Sequence, residues 1–280
     1  MLISKLEVRT AQGVLLNLPL DSVFGGLYVT EIEGLDPVKA TLVSSSFAQL
    51  DGAQYHSSRR DPRSLKIKLG MEPDFIKDNF QDLRNRMYGF FMPKTQVSLR
   101  FHVVTGPGVL DNYYVDILAR VEEFVSPLFV QDPTIEISTL CFDPDFINPV
   151  PVVVSGSSTS DLTETALIYG GTVETGLVFT LKPARSVSAF TVYHRPPDGT
   201  LRMMDFSNAL IAGDLLKIST SVGSKFVTRS RAGFDTSLLY GLSPQSDWLE
   251  LQPGTNNLRI YAEGAAIPYT IEYKTKLGGL

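Results

Sequence analysis

The feature that most constrains this fold is a series of short β-type segments that recurs every 8–15 residues through the second half of the chain. Glycine, proline, aspartate or asparagine stands between successive segments, as expected of turns between strands. The predicted strands are 177–181, 187–194, 200–206, 215–219, 225–229, 248–251, 258–261 and 269–273. Short strands at this regular spacing are typical of a β-sandwich. We therefore predict a β-sandwich for the second half.

The first half combines strands with one helix. Strict apolar/polar alternation over 65–69 indicates a strand with one buried and one solvated face. Segments 2–8, 14–18, 28–32, 96–104, 113–125 and 134–142 also have strand character. A helix is predicted at about 73–88, because Pro73 suits a first turn and Gly89 a C-terminal stop. Ile76, Phe80, Leu83 and Met87 then share one apolar face. The first half is thus predicted to be α+β.

A long β-hairpin arm is predicted between segments 39–50 and 65–69. The connection carries the turn Asp51-Gly52 and the basic cluster Arg59-Arg60-Asp61-Pro62-Arg63. An isolated hairpin with little apolar surface is not stable alone, so a neighbouring chain is expected to hold it. We interpret the basic cluster as a solvated hairpin tip or an inter-subunit salt-bridge patch, in preference to a nucleic-acid grip.

Two domains are expected from the 280 residues. The boundary is placed at 148–151, where two prolines precede the stretch Ser-Gly-Ser-Ser-Thr-Ser at 155–160, which has no strand or helix periodicity. The predicted domains are therefore 1–148 and 149–280. The fold class as a whole is mainly β.

Charge argues against nucleic-acid recognition. The net charge is −5 with an isoelectric point near 5.3, which lacks the basic excess of a DNA-binding protein. Through Asn148 there are 14 basic and 19 acidic residues, so the first domain carries the whole excess. Surface solubility is one explanation of this excess.

Neither a metal site nor a cofactor site is predicted. Cys141 lies in an apolar strand and is interpreted as a buried thiol, and only His56, His102 and His194 accompany it as soft ligands. The N-terminus lacks a signal-peptide apolar stretch, and no run approaches the length of a membrane span. Synthesis in a cytoplasm is therefore expected.

The sequence predicts no enzyme and no catalytic residue. No glycine-rich segment matches a phosphate-binding loop, and the closest serine-elbow match, at Ser243, lacks its last glycine and a following helix. Glu122 and Glu123 are expected to point to opposite faces of a strand, which prevents a shared cleft. Asp143-Pro144-Asp145 is interpreted as a turn.

Aromatic residues leave a carbohydrate-binding alternative open for the second domain. Tyr169, Tyr193, Tyr240, Trp248 and Tyr261 could each stack on a sugar. Core packing or a subunit contact is the favoured interpretation, and we expect Trp248 to be structural, because sandwiches commonly bury one large aromatic residue.

The ordered set of turn motifs resembles the siphophage distal tail protein family. In the first domain the resemblance rests on Ile32-Glu33-Gly34-Leu35, the turn Asp51-Gly52, Arg63 with the 65–69 strand, and the helix. In the second it rests on Gly213-Asp214-Leu215-Leu216-Lys217-Ile218-Ser219-Thr220 with Gly223, and on Trp248-Leu-Glu-Leu-Gln-Pro253-Gly254-Thr-Asn256. Together these motifs cover nearly the whole chain in order.

The resemblance implies a structural hub of a phage tail tip or baseplate. It implies that the first domain closes into a homo-hexameric ring, that a galectin-like sandwich projects outward, and that DNA passes through the ring. In such a ring an acidic channel wall explains the acidic excess of the first domain as well as surface solubility does; the candidates for the wall are Glu31, Glu33, Asp36, Glu122, Glu123 and Glu136. The implied partners are the tail tube protein, the tail-associated hub protein and the tape measure protein, with receptor-binding or fibre proteins as further candidates. The implied location is the tail tip of the virion. The alternative function is a glycan- or receptor-binding adhesion module that acts through the second domain.

Overall fold

The computed structural model describes residues 2–20, 22–23, 25–47, 51–104, 113–127 and 133–280. Two predicted features lie outside these residues: the end of the segment 39–50, and Gly-Pro-Gly at 106–108, which separates the predicted strands 96–104 and 113–125. The chain divides into two compact units, Met1–Asn148 with Leu277–Leu280, and Pro149–Lys276. No helix in the described ranges is long and apolar enough to cross a membrane.

The main sheet of the first unit has the strand order β2-β1-β7-β8-β9-β6-β3, with every neighbouring pair antiparallel. Its outer strands are β3 and β2, while β4 and β5 pair only with each other. The strands are β1 Leu2–Thr10, β2 Leu15–Pro19, β3 Leu27–Glu33, β4 Ala40–Ser45, β5 Gln54–Arg60, β6 Arg63–Met71, β7 Gln96–Val104, β8 Tyr113–Val125, β9 Thr134–Cys141 and β10 Phe146–Ile147.

The helix α1 spans Phe80–Phe91, so the predicted start at 73 and end at 88 are both wrong. Asn79 caps the helix: its side chain accepts from Asp82 N at 3.0 Å, and the Asp82 carboxylate accepts from Asn79 N at 3.2 Å. This reciprocal capping box fixes the first turn. Asp74 instead organises a separate turn, which leaves Ile76 94% exposed rather than on the apolar face. Leu83, Met87 and Phe91 form the buried face.

The second unit is a β-sandwich of two antiparallel sheets around one apolar core. The sheets have the orders β11-β21-β13-β16-β17-β18, with β19 beside β13, and β12-β20-β14-β15. Phe190 and Phe206 stack across the core with ring centroids 5.2 Å apart. The strands are β11 Val152–Ser157, β12 Thr165–Tyr169, β13 Thr175–Leu181, β14 Phe190–Arg195, β15 Arg202–Phe206, β16 Leu215–Ser219, β17 Phe226–Arg231, β18 Phe234–Ser237, β19 Glu250–Leu251, β20 Gly254–Tyr261 and β21 Pro268–Tyr273. The short strand β22, Lys276–Leu277, pairs with β10 of the first sheet.

The mainly β fold, with an α+β first unit and a sandwich in the second, is therefore confirmed. Three strands of the sandwich, β11, β12 and β18, were not predicted. β11 covers part of the Ser-Gly-Ser stretch, where backbone pairing of Ser155 with Thr270 replaces the missing side-chain pattern. β12 follows it and pairs with β20.

The last four residues pack with the first unit, whereas the sequence prediction placed 149–280 in one domain. Leu277 belongs to the first apolar core, and Leu280 N donates to Leu35 O at 3.0 Å. Arg63 Nη2 also donates to Gly278 O at 2.5 Å. These long-range contacts have no local signature in the sequence.

Candidate assembly surface

The arm of the first unit is the hairpin of β4 and β5, in which Leu42 faces Ser58 and Val43 faces Ser57. The predicted partner strand 65–69 is wrong, because it lies inside β6 between β3 and β9 of the main sheet. β5 escaped prediction because its sequence Gln-Tyr-His-Ser-Ser-Arg-Arg has one large apolar side chain and no alternation. The arm therefore begins and ends within 40–60.

In the described residues, the contacts that anchor the arm lie at its base. Arg60 forms a bidentate ion pair with Asp145, a carboxylate that is 3% exposed. Thr41 Oγ1 donates to Asp61 Oδ1 at 2.8 Å, and Asp61 N donates to Lys39 O at 3.0 Å. Because the acceptor of Arg60 is buried, this contact is worth more than an exposed surface pair.

Away from its base the arm exposes apolar side chains. All seven residues of β5 are exposed, and the exposed fractions of Leu42, Val43, Phe47 and Tyr55 are 67%, 48%, 54% and 60%. A two-stranded hairpin needs a third strand or a packed face for stability. The exposed apolar side chains of the arm are therefore expected to pack against another protein surface.

The basic cluster lies at the base of the arm rather than at its tip, so the first interpretation of it is wrong. Arg59 is exposed, but Arg63 is 1% exposed. Burial lowers the pKa of Arg63, and its guanidinium donates to four backbone carbonyls, those of Gly34, Asp36, Pro144 and Gly278. Its guanidinium carbon also lies 4.4 Å from the centroid of the Phe146 ring. Arg63 is thus a structural cross-link and is unavailable to a nucleic acid.

The outward face of the main sheet carries paired charges. Lys68 Nζ lies 2.6 Å from Glu31 Oε2 and 2.8 Å from Glu33 Oε1, and the hydrogen bond from Lys68 lowers the pKa of Glu33. Arg100 forms a bidentate ion pair with Asp116. By strand register this face holds the acids Glu7, Glu31, Glu33, Asp116, Glu123 and Glu136, and the bases Lys5, Arg9, Lys66, Lys68, Arg100 and Arg120.

Glu122 and Glu123 do not follow the predicted alternation. The pairing of β8 with β9 shifts register between Val121 and Glu123, and both glutamates are exposed. A β-bulge places two residues of one strand opposite one residue of its partner, which removes the geometric reason for separating the two side chains. In the nearby turn, Asp145 N donates to Asp143 Oδ1 at 3.3 Å.

The aromatic candidates of the second unit are scattered. Tyr169 is 1% exposed and donates to Val173 O, while Tyr240 is 75% exposed. Tyr193 and Tyr261 are half-buried on the outward face of one sheet. A polar cleft of about 370 Å³ is lined by Glu174, Arg202, Glu250, Gln252 and Pro253, so the ring that sugar stacking requires is absent from its lining.

Trp248 does not fill the sandwich core, contrary to the expectation that it is the buried aromatic residue. It is half-buried and packs against the core from outside, with Lys225 Nζ 5.2 Å from its ring centroid. The neighbouring Leu249 and Leu251 are completely buried in the core instead.

Trp248→Ala is therefore expected to cost about 1–2 kcal/mol, below the about 3–5 kcal/mol of a fully buried aromatic residue. Urea unfolding followed by far-ultraviolet circular dichroism measures the change. Leu249→Ala, which opens the core itself, provides the matched comparison and should lower the stability more than Trp248→Ala. A larger loss for Trp248→Ala would contradict the peripheral position.

The isolated titratable groups form no catalytic cluster in the described residues. Burial raises the pKa of the Cys141 thiol to about 12. His56 Nε2 lies 2.7 Å from Ser45 Oγ, His102 Nε2 lies 3.0 Å from Glu7 Oε1, and His194 lies in the second core. No group of three or more histidine, cysteine or carboxylate side chains is placed to hold a metal ion in the part of the chain that is described.

Comparison with known proteins identifies the second unit. Residues 170–276 match the family model of the siphovirus-type tail component, C-terminal domain. The Dit protein of phage SPP1, described as a paradigm of the hub adsorption apparatus in phages that infect Gram-positive bacteria, has a similar fold: TM-score 0.66, 16% identity, 97% of this chain and 98% of that chain covered. No curated protein matches the sequence.

Two baseplate structures of phage P2 are also similar over their lengths. The activated form with Ca gives a TM-score of 0.47 at 12% identity over 100% of both chains. The form with Sr gives 0.44 at 11% identity over 99% of both chains. The resemblance to the siphophage distal tail protein family, which was inferred from the turn motifs, is confirmed by the family model and by the fold of the SPP1 protein.

Proposed function

We propose that this chain, which carries the C-terminal domain of a siphovirus-type tail component in residues 170–276, is the structural hub of a phage tail tip or baseplate. Six copies close into a ring through their first units. The ring joins the tail tube protein to the tail-associated hub protein and to receptor-binding or fibre proteins, with the tape measure protein in or near a channel that DNA crosses. The protein acts in the virion and has no catalytic role.

The arm is the observation that supports the ring. Its base is fixed to the first unit by the Arg60–Asp145 pair, while Leu42, Val43 and Tyr55 remain exposed. A surface that each subunit presents and each neighbour completes is a heterologous contact, and heterologous contacts close into rings when the rotation permits. The number six is supported by the family resemblance rather than by the geometry of one chain.

Charge balance on the main sheet supports DNA passage without an acidic wall. The outward face carries six acids and six bases, apart from the bulged Glu122. Three of the five excess negative charges of the first unit belong to Asp21, Asp111 and Asp132, which lie outside the described residues. If this face lines the channel, its bases are balanced by acids and displace few of the counterions condensed on DNA, so DNA gains little affinity from the wall.

Removing the apolar side chains of the arm should abolish ring assembly. Leu42→Asp with Val43→Asp introduces two carboxylates into the proposed contact, whose burial without partners is costly. Multi-angle light scattering should show a hexamer for the unmodified chain and a monomer for this variant. The unfolding midpoint should change little, because both side chains are exposed within one subunit.

The matched control is Val222→Asp with Phe234→Asp, which changes two residues of the second unit that are each 78% exposed. This control should remain hexameric. A strict monomer for the unmodified chain at every concentration, together with phage tails that lack a six-fold layer, would contradict the proposal.

A further inference from the structure

The outward face of the four-stranded sheet in the second unit has a distinctive composition. Strand register places Tyr193 between Met203 and Arg259, and Tyr261 beside Thr191 on the adjacent row. Ile168 lies on the edge strand and is 76% exposed. We call Ile168, Tyr193, Arg195, Met203, Arg259 and Tyr261 the tyrosine–arginine face. Tyrosine, methionine and arginine are the residue types enriched where proteins bind one another.

Arg259 is held in place without an ion pair. Its guanidinium carbon lies 4.0 Å from the centroid of the Tyr193 ring, and Nη1 donates to Asp161 O at 3.3 Å. Within the described residues it has no salt bridge, whereas Arg195 Nε lies 3.6 Å from Glu164 Oε1. A stacked, oriented guanidinium of this kind is prepared to receive a carboxylate in a bidentate contact.

A rigid turn presents a further apolar residue beside this face. Leu162 is 83% exposed at the top of the turn. Asp161 Oδ1 accepts from Thr159 Oγ1 at 2.5 Å and from Thr163 N at 2.8 Å, and these hydrogen bonds lower the pKa of Asp161 to about 2. Because the turn is already ordered, burying Leu162 against a partner costs little backbone entropy.

The opposite face of the sandwich provides an internal comparison. In the other sheet, one line of cross-strand neighbours runs through β11, β21, β13, β16, β17 and β18. Its residues are Ser155, Thr270, Thr180, Lys217, Thr228 and Ser237, and five of the six carry hydroxyl groups. Val153 and Phe226 are exposed on the next row. Serine, threonine and lysine contribute few interface hot spots. The two outward faces therefore differ in their suitability for binding.

We infer that the tyrosine–arginine face docks a second, different tail protein, which presents a carboxylate to Arg259 and an apolar side chain to Ile168 and Leu162. The inference rests on the proposed function, since it names where the tail hub receives a partner. Self-association through this face is disfavoured, because its two nearest carboxylates are already engaged: Glu164 pairs with Arg195, and Asp161 accepts hydrogen bonds within its own turn. A second copy would therefore bring arginine against arginine without offering Arg259 an uncommitted carboxylate from these two groups. The partner surface is therefore acidic at its centre.

A glycan is a less suitable occupant. The Arg259 guanidinium lies over the Tyr193 ring, 4.0 Å from its centroid, and so occupies one of the two ring faces on which a sugar could stack. Ile168 and Leu162 offer a hydroxyl-rich ligand no hydrogen bond. Burial of these two side chains is favourable when the occupant is an apolar protein surface.

A photo-crosslinking amino acid placed in the full chain and assembled into virions tests the inference. The test positions are Ile168 on the proposed face, Thr228 on the hydroxyl row, and Tyr55 on the arm. Ile168 should give an adduct with a different virion protein, identified by mass spectrometry, and Thr228 should not. In the Ile168 probe background, Arg259→Glu should reduce that adduct at least tenfold, while Lys217→Glu, the same charge change on the opposite face, should not.

The arm position separates this inference from the proposed function. A Tyr55 adduct with another copy of the chain supports the ring, whatever Ile168 does, and its absence from assembled virions counts against the ring alone. The docking inference is overturned if Ile168 crosslinks only to another copy of the chain, to a polysaccharide or to nothing. It is also overturned if Thr228 crosslinks to the same protein as strongly as Ile168.

Discussion

Replacing Arg63 by alanine should strongly destabilise the first unit and leave the stability of the second unchanged. The guanidinium donates at 2.5–2.7 Å to the carbonyls of Gly34, Asp36, Pro144 and Gly278, which come from three separate parts of the chain. Arg63 itself is 1% exposed, and a hydrogen bond from a charged group contributes about 1.5–3 kcal/mol, or less where water can replace the donor, as at the exposed Gly34 and Asp36. The summed loss is therefore about 4 kcal/mol or more, against a total stability of about 5–15 kcal/mol for an ordinary domain.

Trp248, the single tryptophan, lies in the second unit and makes the two units separately observable. In Arg63→Ala, the circular dichroism transition should split, with an early phase that the Trp248 fluorescence does not follow. Arg63→Lys should also be strongly destabilised, because an ammonium group cannot span carbonyls that the planar guanidinium reaches together. Arg59→Ala, at an exposed arginine of the arm, is the control and should leave both signals unchanged. If the circular dichroism and fluorescence transitions of Arg63→Ala coincide, the Arg63 hydrogen bonds do not stabilise the first unit selectively.

Most of the fold was predictable because its strands obey a local rule. Leu65, Ile67 and Leu69 alternate with lysines, and all three are completely buried, as the alternation requires. Alternation does not predict an element whose position depends on a partner subunit or on a specific side-chain contact. β5 has no alternation because neither face is buried within one subunit, and the helix start depends on the reciprocal contact of Asn79 and Asp82.

The assembly surface was predictable only in outline. The arm could be anticipated from a long connection of low apolar content, but its strand partner could not, since pairing depends on the rest of the sheet. The role of Arg63 could not be read locally either, because its acceptors lie 27 to 215 residues away. The face on β14 and β20 depends on which of two sheets each strand joins, and that choice is made by tertiary packing.

Replacing Asn256 by alanine should selectively destabilise the second unit. Asn256 has no exposure, and its side chain closes the turn that follows Trp248. Its Oδ1 accepts from Gln252 N and lies 3.0 Å from His194 Nε2, while its Nδ2 donates to Gln252 O and Gly254 O. Losing these four contacts in a buried site should cost about 3 kcal/mol or more. Urea unfolding followed by Trp248 fluorescence measures the loss.

The pH dependence of the same site provides its sharpest test. Because both Nδ2 protons of Asn256 are used by carbonyls, Oδ1 is the acceptor and His194 Nε2 must donate. Nδ1 of His194 is then a buried hydrogen-bond acceptor that has no donor in the described residues. Burial lowers the pKa of His194 below its ordinary 6.5, so the unfolded chain binds the proton more readily. Stability should be complete above pH 6.5 and fall as the pH drops toward the lowered pKa of the folded state.

Asn256→Asp should reverse this dependence. A carboxylate beside Nε2 favours the charged imidazole and raises the pKa of His194 in the folded state, so the stabilisation from the new pair is present at low pH and is lost as the pH rises through the raised pKa. His194→Phe should remove the slope near pH 6.5 in either background. The measurement is the urea midpoint of Trp248 fluorescence from pH 5 to 8. A slope of the same sign in the unmodified chain and in Asn256→Asp would show that His194 does not pair with residue 256.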